Sequence, residues 1–407
     1  MKYILRSQYL DTLNKLRDTD LIKVITGLRR SGKSTLLNQF RDQIADSVAP
    51  DRIQKYDFES REAYTHRSWE EIYDQIDNNL VKGKKNYIFL DEVQNVENFE
   101  RLLDALYVDK DIDLYVTGSN AYLLSSELAT LLTGRAFTIN ILPFSFREFY
   151  QTFSNFETPE AAFEKYLRAS SLPQSAELMR IDPALVMDYV RTVYDDVFEN
   201  DIMARHTVMS RQAFASVANF TMDNIGNLLS PNKIADLLAK DGKQIDSRTV
   251  ESYIEFLTDS YVFYKATRFD IKGKQHLATR EKYYLADIGF RNALLGRESG
   301  ADAGRILENI IFLELLRRYR DVWIGKAGNQ EIDFVVRDEL GATTYFQVAY
   351  TVRDEATLLR ELMPFESVKD HNQKFLITMD PEEVIRNGVR QINAIKFLLG
   401  TSTLFNE

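Results

Sequence analysis

An α/β fold is predicted for this chain, beginning with a parallel sheet that carries helices on both faces. Three observations in the first 150 residues predict it. Short apolar runs rich in β-branched and aromatic residues alternate with segments of helical period. A glycine-rich turn joins the first such run to the first helix. An acidic pair, Asp91-Glu92, ends another run that is apolar throughout. Strands separated by helices of this length pair in parallel, and parallel strands buried on both faces read as continuous apolar runs.

The elements follow in order. Residues 21–26 (LIKVIT) form the first strand, and 33–44 have helical period. Residues 53–58 read as the second strand and 69–80 as an amphipathic helix. Residues 86–90 (NYIFL) are a buried strand, followed by a helix over 98–107. Residues 114–117 (LYVT) and 137–141 are the fourth and fifth strands, and LPFSFREFY closes the block near residue 150. Residues 151–227 are mainly helical. In 228–285, Ser230-Pro231 supplies an N-cap and a proline at the first helical position. Asp246 or Ser247 caps a second helix, and two strand-like runs follow. Helix, turn, helix and hairpin is the winged-helix arrangement. Residues 286–407 contain a helix, GRILENIIFLELLRRY, then WIGKA, EIDFVVRD, TTYFQVAYTV and FLITMD as strands, and a last helix.

Composition narrows the function. The 407 residues suggest two or three domains. They are 44% apolar and 28% charged, and 51 basic against 61 acidic side chains leave a net charge of −10. This argues against nucleic-acid binding through overall charge but leaves room for a local basic face. With no cysteine there is no disulfide, thiol catalysis or Cys-based zinc site. The four histidines, His66, His206, His276 and His371, are far apart. No apolar run reaches the ~18 residues of a membrane span, and the start, MKYILRSQYLDTLNKL, does not read as a signal peptide. A cytoplasmic protein is expected.

Gly27–Thr35 reads GLRRSGKST, the P-loop pattern GxxxxGK followed by Ser or Thr, between a predicted strand and a predicted helix. Gly27 and Gly32 let the backbone turn its N–H groups onto phosphate oxygens, and the helix start aims its positive end at them. Lys33 can reach the β- and γ-phosphates, and the Ser34 hydroxyl is placed for Mg²⁺. Thr35 turns toward nucleotide or helix. Ser31 lies within the cradle. Arg29 and Arg30 either contact phosphate or are exposed loop residues. In YIFLDEVQ, Asp91 would hold hydrated Mg²⁺ and Glu92 would orient and deprotonate the attacking water. In TGSN, Ser119 and Asn120 are candidates for the γ-phosphate or the water. Arg135, in LLTGRAF, either supplies transition-state charge, from its own chain or from a neighbouring subunit of a homo-oligomer, or is a solvated arginine after a turn.

GLRRSGKST, YIFLDEVQ, TGSN, LTGR and LPFSFREF, in this order and spacing, resemble the prokaryotic AAA-type ATPases that carry a C-terminal domain of unknown function. YLADIGFRNALLG, GRILENIIFLELLRR and QEIDFVV are similar to that C-terminal domain. The resemblance implies a P-loop NTPase core with ATP and Mg²⁺ as ligands, then a winged helix and a restriction-nuclease-like (PD-(D/E)XK-type) α/β domain. An active nuclease of that type needs a helix carboxylate, a strand Asp and a Glu-x-Lys on the next strand. Glu308, Glu331 and Asp333 supply the first parts, but Gln347 and Ala349 stand where the acid and lysine belong. The fold is therefore expected without the cleavage, the carboxylates being buried and hydrogen-bonded instead.

The second helix of the winged-helix unit would offer Ser247, Arg248, Thr249, Ser252 and Tyr253 to a major groove. From 207 to 270 there are 7 basic and 8 acidic residues. The candidate wing, 271–282, carries Lys272, Lys274, Arg280 and Lys282 against Glu281. Weak, salt-sensitive DNA binding and a role in packing or partner-protein binding both remain open. Three functions follow in order of preference. The first is an ATP-hydrolysing switch, the second a nucleotide-gated DNA-binding module with incidental hydrolysis, and the third an ATP-regulated nuclease.

Overall fold

The computed structural model describes residues 4–59, 68–118, 132–240, 245–273, 275–296 and 302–406. The chain forms two compact units. The first comprises Met1–Pro143 together with Glu199–Arg205, and the second Phe144–Phe198 together with His206–Glu407.

In the first unit, β1 (Ile22–Gly27), β2 (Ile53–Asp57), β3 (Asn86–Asp91), β4 (Ile112–Thr117) and β5 (Ala136–Ile141) form a sheet in the order β2-β3-β4-β1-β5. Every neighbouring pair is parallel. Side chains alternate across it, as the two-residue period requires. Ile88 and Leu90 enter one core with Leu102, Leu103 and Leu106 of helix α4 (Phe99–Val108) and Ile72 and Ile76 of α3 (Trp69–Asn78). Tyr87 and Phe89 enter the other core with Leu13 of α1 (Ser7–Leu16) and Leu36, Leu37 and Phe40 of α2 (Lys33–Ala45). Helix α3 starts at a reciprocal capping box between Ser68 and Glu71.

A polar network is buried near the N-terminal ends of β1 and β4. Lys23 and Asp113 are both fully buried, with Nζ 2.5 Å from Oδ1. Asp113 Oδ2 also accepts from the Tyr115 hydroxyl at 2.9 Å and the Asp18 N–H at 2.8 Å, and Lys23 donates to the Thr19 carbonyl at 2.9 Å.

The second unit opens with helices α5 (Phe146–Phe153), α6 (Pro159–Arg168), α7 (Pro173–Ile181) and α8 (Ala184–Asp196). After the stretch 199–205 come α9 (Arg211–Asp223), α10 (Pro231–Lys240) and α11 (Ser247–Asp259), then the antiparallel hairpin β6 (Phe263–Asp270) and β7 (Gln275–Leu285). Asp246, rather than Ser247, caps α11, accepting from the Thr249 N–H at 2.7 Å. The hairpin does not end the sheet: β6 pairs in parallel with β8 (Val322–Ala327) through Arg268–Asp270. The eight-stranded mixed sheet continues through β9 (Gln330–Arg337), β10 (Thr343–Val348), β11 (Gln373–Thr378), β13 (Val389–Asn393) and β12 (Val384–Arg386). Helices α12 (Ile288–Leu295), α13 (Ala303–Arg318), α14 (Glu355–Glu366), α15 (Ala394–Leu399) and α16 (Thr403–Asn406) complete the unit. Nearly every residue of α13 from Ile306 to Leu315 is buried, which suits a helix apolar around its circumference. Among the described residues no helix is long and apolar enough to cross a membrane.

Two expectations for the winged-helix segment are corrected. Tyr253 is 2% exposed and packs on Phe214 at a ring distance of 5.2 Å, so it is not offered to a groove. On α11 the exposed positions are Arg248, Glu251, Glu255 and Asp259, a stripe at helical spacing that is mostly carboxylate. Lys282 is not part of a basic wing either. It lies inside β7 and is buried.

Candidate active site

The loop after β1 is built for close backbone approach. Gly27 has φ 142°, and a Cβ on it would stand 2.2 Å from the Ile141 carbonyl oxygen of the adjoining strand. Gly32 has φ 100° and precedes the first turn of α2. Both positions demand glycine. Between them, Arg30 is exposed with φ 65°. Lys33 is buried, and its ammonium donates to the carbonyls of Gly27 at 3.2 Å and Leu28 at 3.4 Å. The buried Ser31 hydroxyl has no hydrogen-bond partner among the described residues. Arg6, from the start of the chain, props the loop from behind. Its guanidinium donates to the Ser31 carbonyl at 3.1 Å and the Leu142 carbonyl at 2.8 Å.

The acidic pair lies beside this loop. Asp91 Oδ1 accepts from the Ser34 hydroxyl at 3.0 Å and from the Thr117 hydroxyl at 2.5 Å, and Lys55 Nζ is 3.9 Å from Oδ2. Burial pushes the Asp91 carboxyl above its ordinary value, against the two hydroxyls, which favour the charged form. Glu92 adopts φ 55°, a left-handed torsion that turns its side chain out of the strand direction. Its N–H donates to Thr117 Oγ1 at 2.9 Å, and Gln94 Nε2 donates to its Oε2 at 2.6 Å. Arg29 is held by Asp201 through Nε at 3.1 Å and Nη2 at 3.3 Å.

Of the residues expected from sequence, the structure brings together Gly27, Arg29, Ser31, Gly32, Lys33, Ser34, Asp91 and Glu92. Thr35 is half-buried in the first turn of α2. Ser119 and Asn120 lie outside the described residues. Arg135 is corrected: it does not belong to the site of its own chain. Its carbonyl accepts from the Ile22 N–H at 2.8 Å, which places it at the start of β1. The loop leaves from the other end of that strand, roughly 17 Å away at ~3.3 Å per residue. Arg135 there pairs with Asp104 at 2.6 Å and lies over the Tyr107 ring.

Sequence reading missed Thr117, Gln94, Lys55, Arg6 and Asp201. Thr117 meets Asp91 across the sheet: β3 and β4 are neighbours in register, Leu90 beside Val116, so the next residues on, Asp91 and Thr117, end side by side.

In the second unit Glu308, Glu331 and Asp333 converge, but on a lysine. Lys282 Nζ is 3.1 Å from Glu308 Oε1 and 2.9 Å from Glu331 Oε1. Tyr284 donates to Glu308 at 2.7 Å, and the Val348 N–H donates to Asp333 at 2.9 Å. Gln347 accepts from the Asp333 N–H at 3.2 Å and donates to Glu361 at 2.8 Å. Among the described residues no three His, Cys, Asp or Glu side chains are arranged to hold a metal. Burial opposes the Lys282 charge, but Glu308, Asp333 and Glu331 outweigh it and raise its pKa above the ordinary 10.5. Stability from such a raised lysine is complete below 10.5 and is lost as pH rises through the higher folded value. Lys282→Met is expected to cost about 2 kcal/mol at neutral pH, with two partners left unpaired. The loss should shrink above pH 10.5, as read by urea titration at pH 7 and 11.

The strand order, the glycine loop leading from β1 into α2 and the acidic end of β3 define an AAA-type P-loop ATPase fold, and residues 19–150 match the AAA domain family. Residues 160–301 match a second family, a domain of unknown function (DUF8612). The whole chain belongs to the family of an uncharacterized protein of Haemophilus influenzae, to which it is 36% identical over 404 residues, 97% of this chain and 98% of that one. Uncharacterized protein MJ1544 of Methanocaldococcus jannaschii is a further member, 31% identical over 367 residues, 86% of this chain and 79% of that one. Among solved structures, the Walker-type ATPase PABY2304 of Pyrococcus abyssi has a similar fold, with a TM-score of 0.50 at 17% identity, over 72% of this chain and 96% of that one.

Proposed function

We propose that this chain binds Mg·ATP in the loop Gly27–Thr35, hydrolyses it, and acts as a nucleotide-driven switch. The observation that carries this reading is the meeting of Ser34 and Asp91, 57 positions apart in the chain, beside the buried Lys33 ammonium. A hydroxyl and a carboxylate are the hard oxygen donors that Mg²⁺ takes. The Ser31 hydroxyl, without a hydrogen-bond partner among the described residues, fits a phosphate chain approaching the loop. When bound, Mg²⁺ neutralises phosphate charge.

In this reading the loop amides take phosphate oxygens, and Lys33 exchanges its two carbonyl partners for phosphate. Ser34 and Asp91 would hold the metal. Glu92 accepts a proton from the water that attacks the γ-phosphorus as the bond to the ADP oxygen breaks, and Gln94 keeps the Glu92 carboxylate in place. Asn120, shortly after the end of β4, is assigned to the γ-phosphate. The nucleotide is taken as ATP because the core belongs to the AAA domain family. The mostly acidic exposed stripe of α11 does not suit DNA binding, and Lys282 occupies Glu308 and Glu331 where cleavage in the second unit would need a metal.

The test is calorimetry with Mg·ATP. Lys33→Ala removes a charge-assisted contact worth about 1.5–3 kcal/mol, so affinity is expected to fall roughly 10- to 100-fold. Unchanged affinity in this variant, or no heat of binding in the unaltered protein, would end the reading.

A further inference from the structure

Asp201 belongs to no nucleotide motif, yet its carboxylate is buried against the phosphate loop. It lies 172 positions from Arg29 in the chain. The stretch Glu199–Arg205 is part of the first unit although the chain on both sides of it belongs to the second. It overlaps a π-helical turn, Val197–Met203. Such wide turns are rare and occur frequently at functional sites.

The contact is of the strong kind. Nε and Nη2 of Arg29 donate to the two Asp201 oxygens at 3.1 and 3.3 Å, a two-pronged match of guanidinium to carboxylate. The Asp201 side chain is 5% exposed and that of Arg29 22%. Nη1 lies 3.8 Å from Glu59 Oε1. Burial works against the Arg29 charge, but Asp201, Glu92 and Glu59 outweigh it and hold the guanidinium above its ordinary pKa. Glu92 is thus an electrostatic neighbour of Arg29. Without Asp201, the guanidinium has other carboxylates to fall upon.

Phosphoryl transfer spreads negative charge over the γ-phosphoryl oxygens, and a positioned arginine is worth several orders of magnitude in rate. Arg135 is at the opposite end of β1 from the phosphate loop, as described above. We propose that Arg29 is the arginine, supplied by the same chain, that meets this charge, and that Asp201 is the positioning residue that fixes its guanidinium. This rests on the reading of Gly27–Thr35 as the ATP site. Catalysis then depends on a short stretch of chain that continues helix α8 on one side and is followed by α9 at Arg211 on the other.

Steady-state ATP turnover with measured melting temperature tests it. Asp201→Asn is expected to lower kcat about 10- to 100-fold, the cost of a reacting group displaced by about 1 Å. KM for ATP and the melting temperature should stay near those of the unaltered protein. Asp201→Glu, which keeps the charge but moves the guanidinium by a methylene, should lower kcat about 10-fold in the same way. Arg29→Ala should lose about 10³-fold, and Arg29→Ala/Asp201→Asn no more than Arg29→Ala alone. Unchanged kcat in Asp201→Glu, or losses that multiply in the double variant, would overturn the proposal. Should Asp201→Asn prove unstable, Asp201→Glu and the double variant decide it. Failure of the ATP-site reading shows separately, as Mg·ATP affinity indifferent to Lys33→Ala.

Discussion

Glu92→Gln is expected to reduce ATP turnover by about 10²- to 10⁴-fold, the range for loss of a positioned general base. Glutamine matches glutamate in shape and can occupy the same backbone torsion. It still offers an oxygen to Gln94, which donates at 2.6 Å in the unaltered chain. Only the capacity to take a proton is lost. Calorimetric affinity for Mg·ATP should stay the same or rise slightly, because a negative charge leaves the neighbourhood of the phosphates. The Glu59 carboxyl supplies a second readout. Burial and then the charge of Glu92 hold it above its ordinary value. Neutralising Glu92 should lower the Glu59 pKa, visible in carboxylate NMR. Normal single-turnover hydrolysis in this variant would remove Glu92 from the mechanism.

Asp113→Ala is expected to destabilise the first unit by about 3–5 kcal/mol, the cost of leaving one member of a buried ion pair without its partner. Lys23 is fully buried, so its ammonium would keep only the Thr19 carbonyl among the partners described above. The Tyr115 hydroxyl and Asp18 N–H would lose their acceptor as well. Burial already lowers the Lys23 pKa, and Asp113 opposes that. In the variant the pKa falls further below the unfolded value, so the unfolded chain binds more protons than the folded one. Stability then rises with pH, and the deficit should be larger at pH 6 than at pH 10. The double variant Lys23→Met/Asp113→Leu, which removes both charges, should recover much of the loss. With two units in the chain, the denaturant curve must be read from a probe in the first one. Equal stability of Asp113→Ala and the unaltered chain would show that water reaches Lys23.

What was legible in the sequence was local. The three inner strands of the first sheet, β1, β3 and β4, are buried along their whole length, so apolar runs mark their positions to within a residue or two: the sequence predicts 21–26 and the structure has Ile22–Gly27. The phosphate loop is one contiguous stretch, and each residue type in it has its own reason. Contacts made across the sheet or far along the chain were not legible. Reading along β4 points to Ser119 and Asn120, whereas Thr117 acts across the sheet, on Asp91 at the end of β3. Arg135 precedes a strand, whereas in a parallel sheet the phosphate loop leaves from the C-terminal end of one, so its place at the opposite end of the sheet follows from its position in the chain. Lys282 reads as surface charge in a wing, but it is buried. Two-residue alternation sends it to the same side of β7 as the buried Tyr284. Asp201 has no signal at all in a linear reading. Its partner Arg29 is distant in sequence, and nothing in the residues around it marks the turn that aims it. The pairing of β6 with β8 spans only three residues on each strand and is equally invisible.

The torsion at Glu92 carries a consequence for the relatives of this chain. A φ of 55° suits glycine or asparagine and costs another residue on the order of 1 kcal/mol or more. Folding alone would therefore favour replacing the glutamate. A descendant that had abandoned nucleotide turnover would gain stability by drifting to glycine there. Glycine at this position in otherwise intact family members would mark lineages that kept the scaffold and gave up the chemistry.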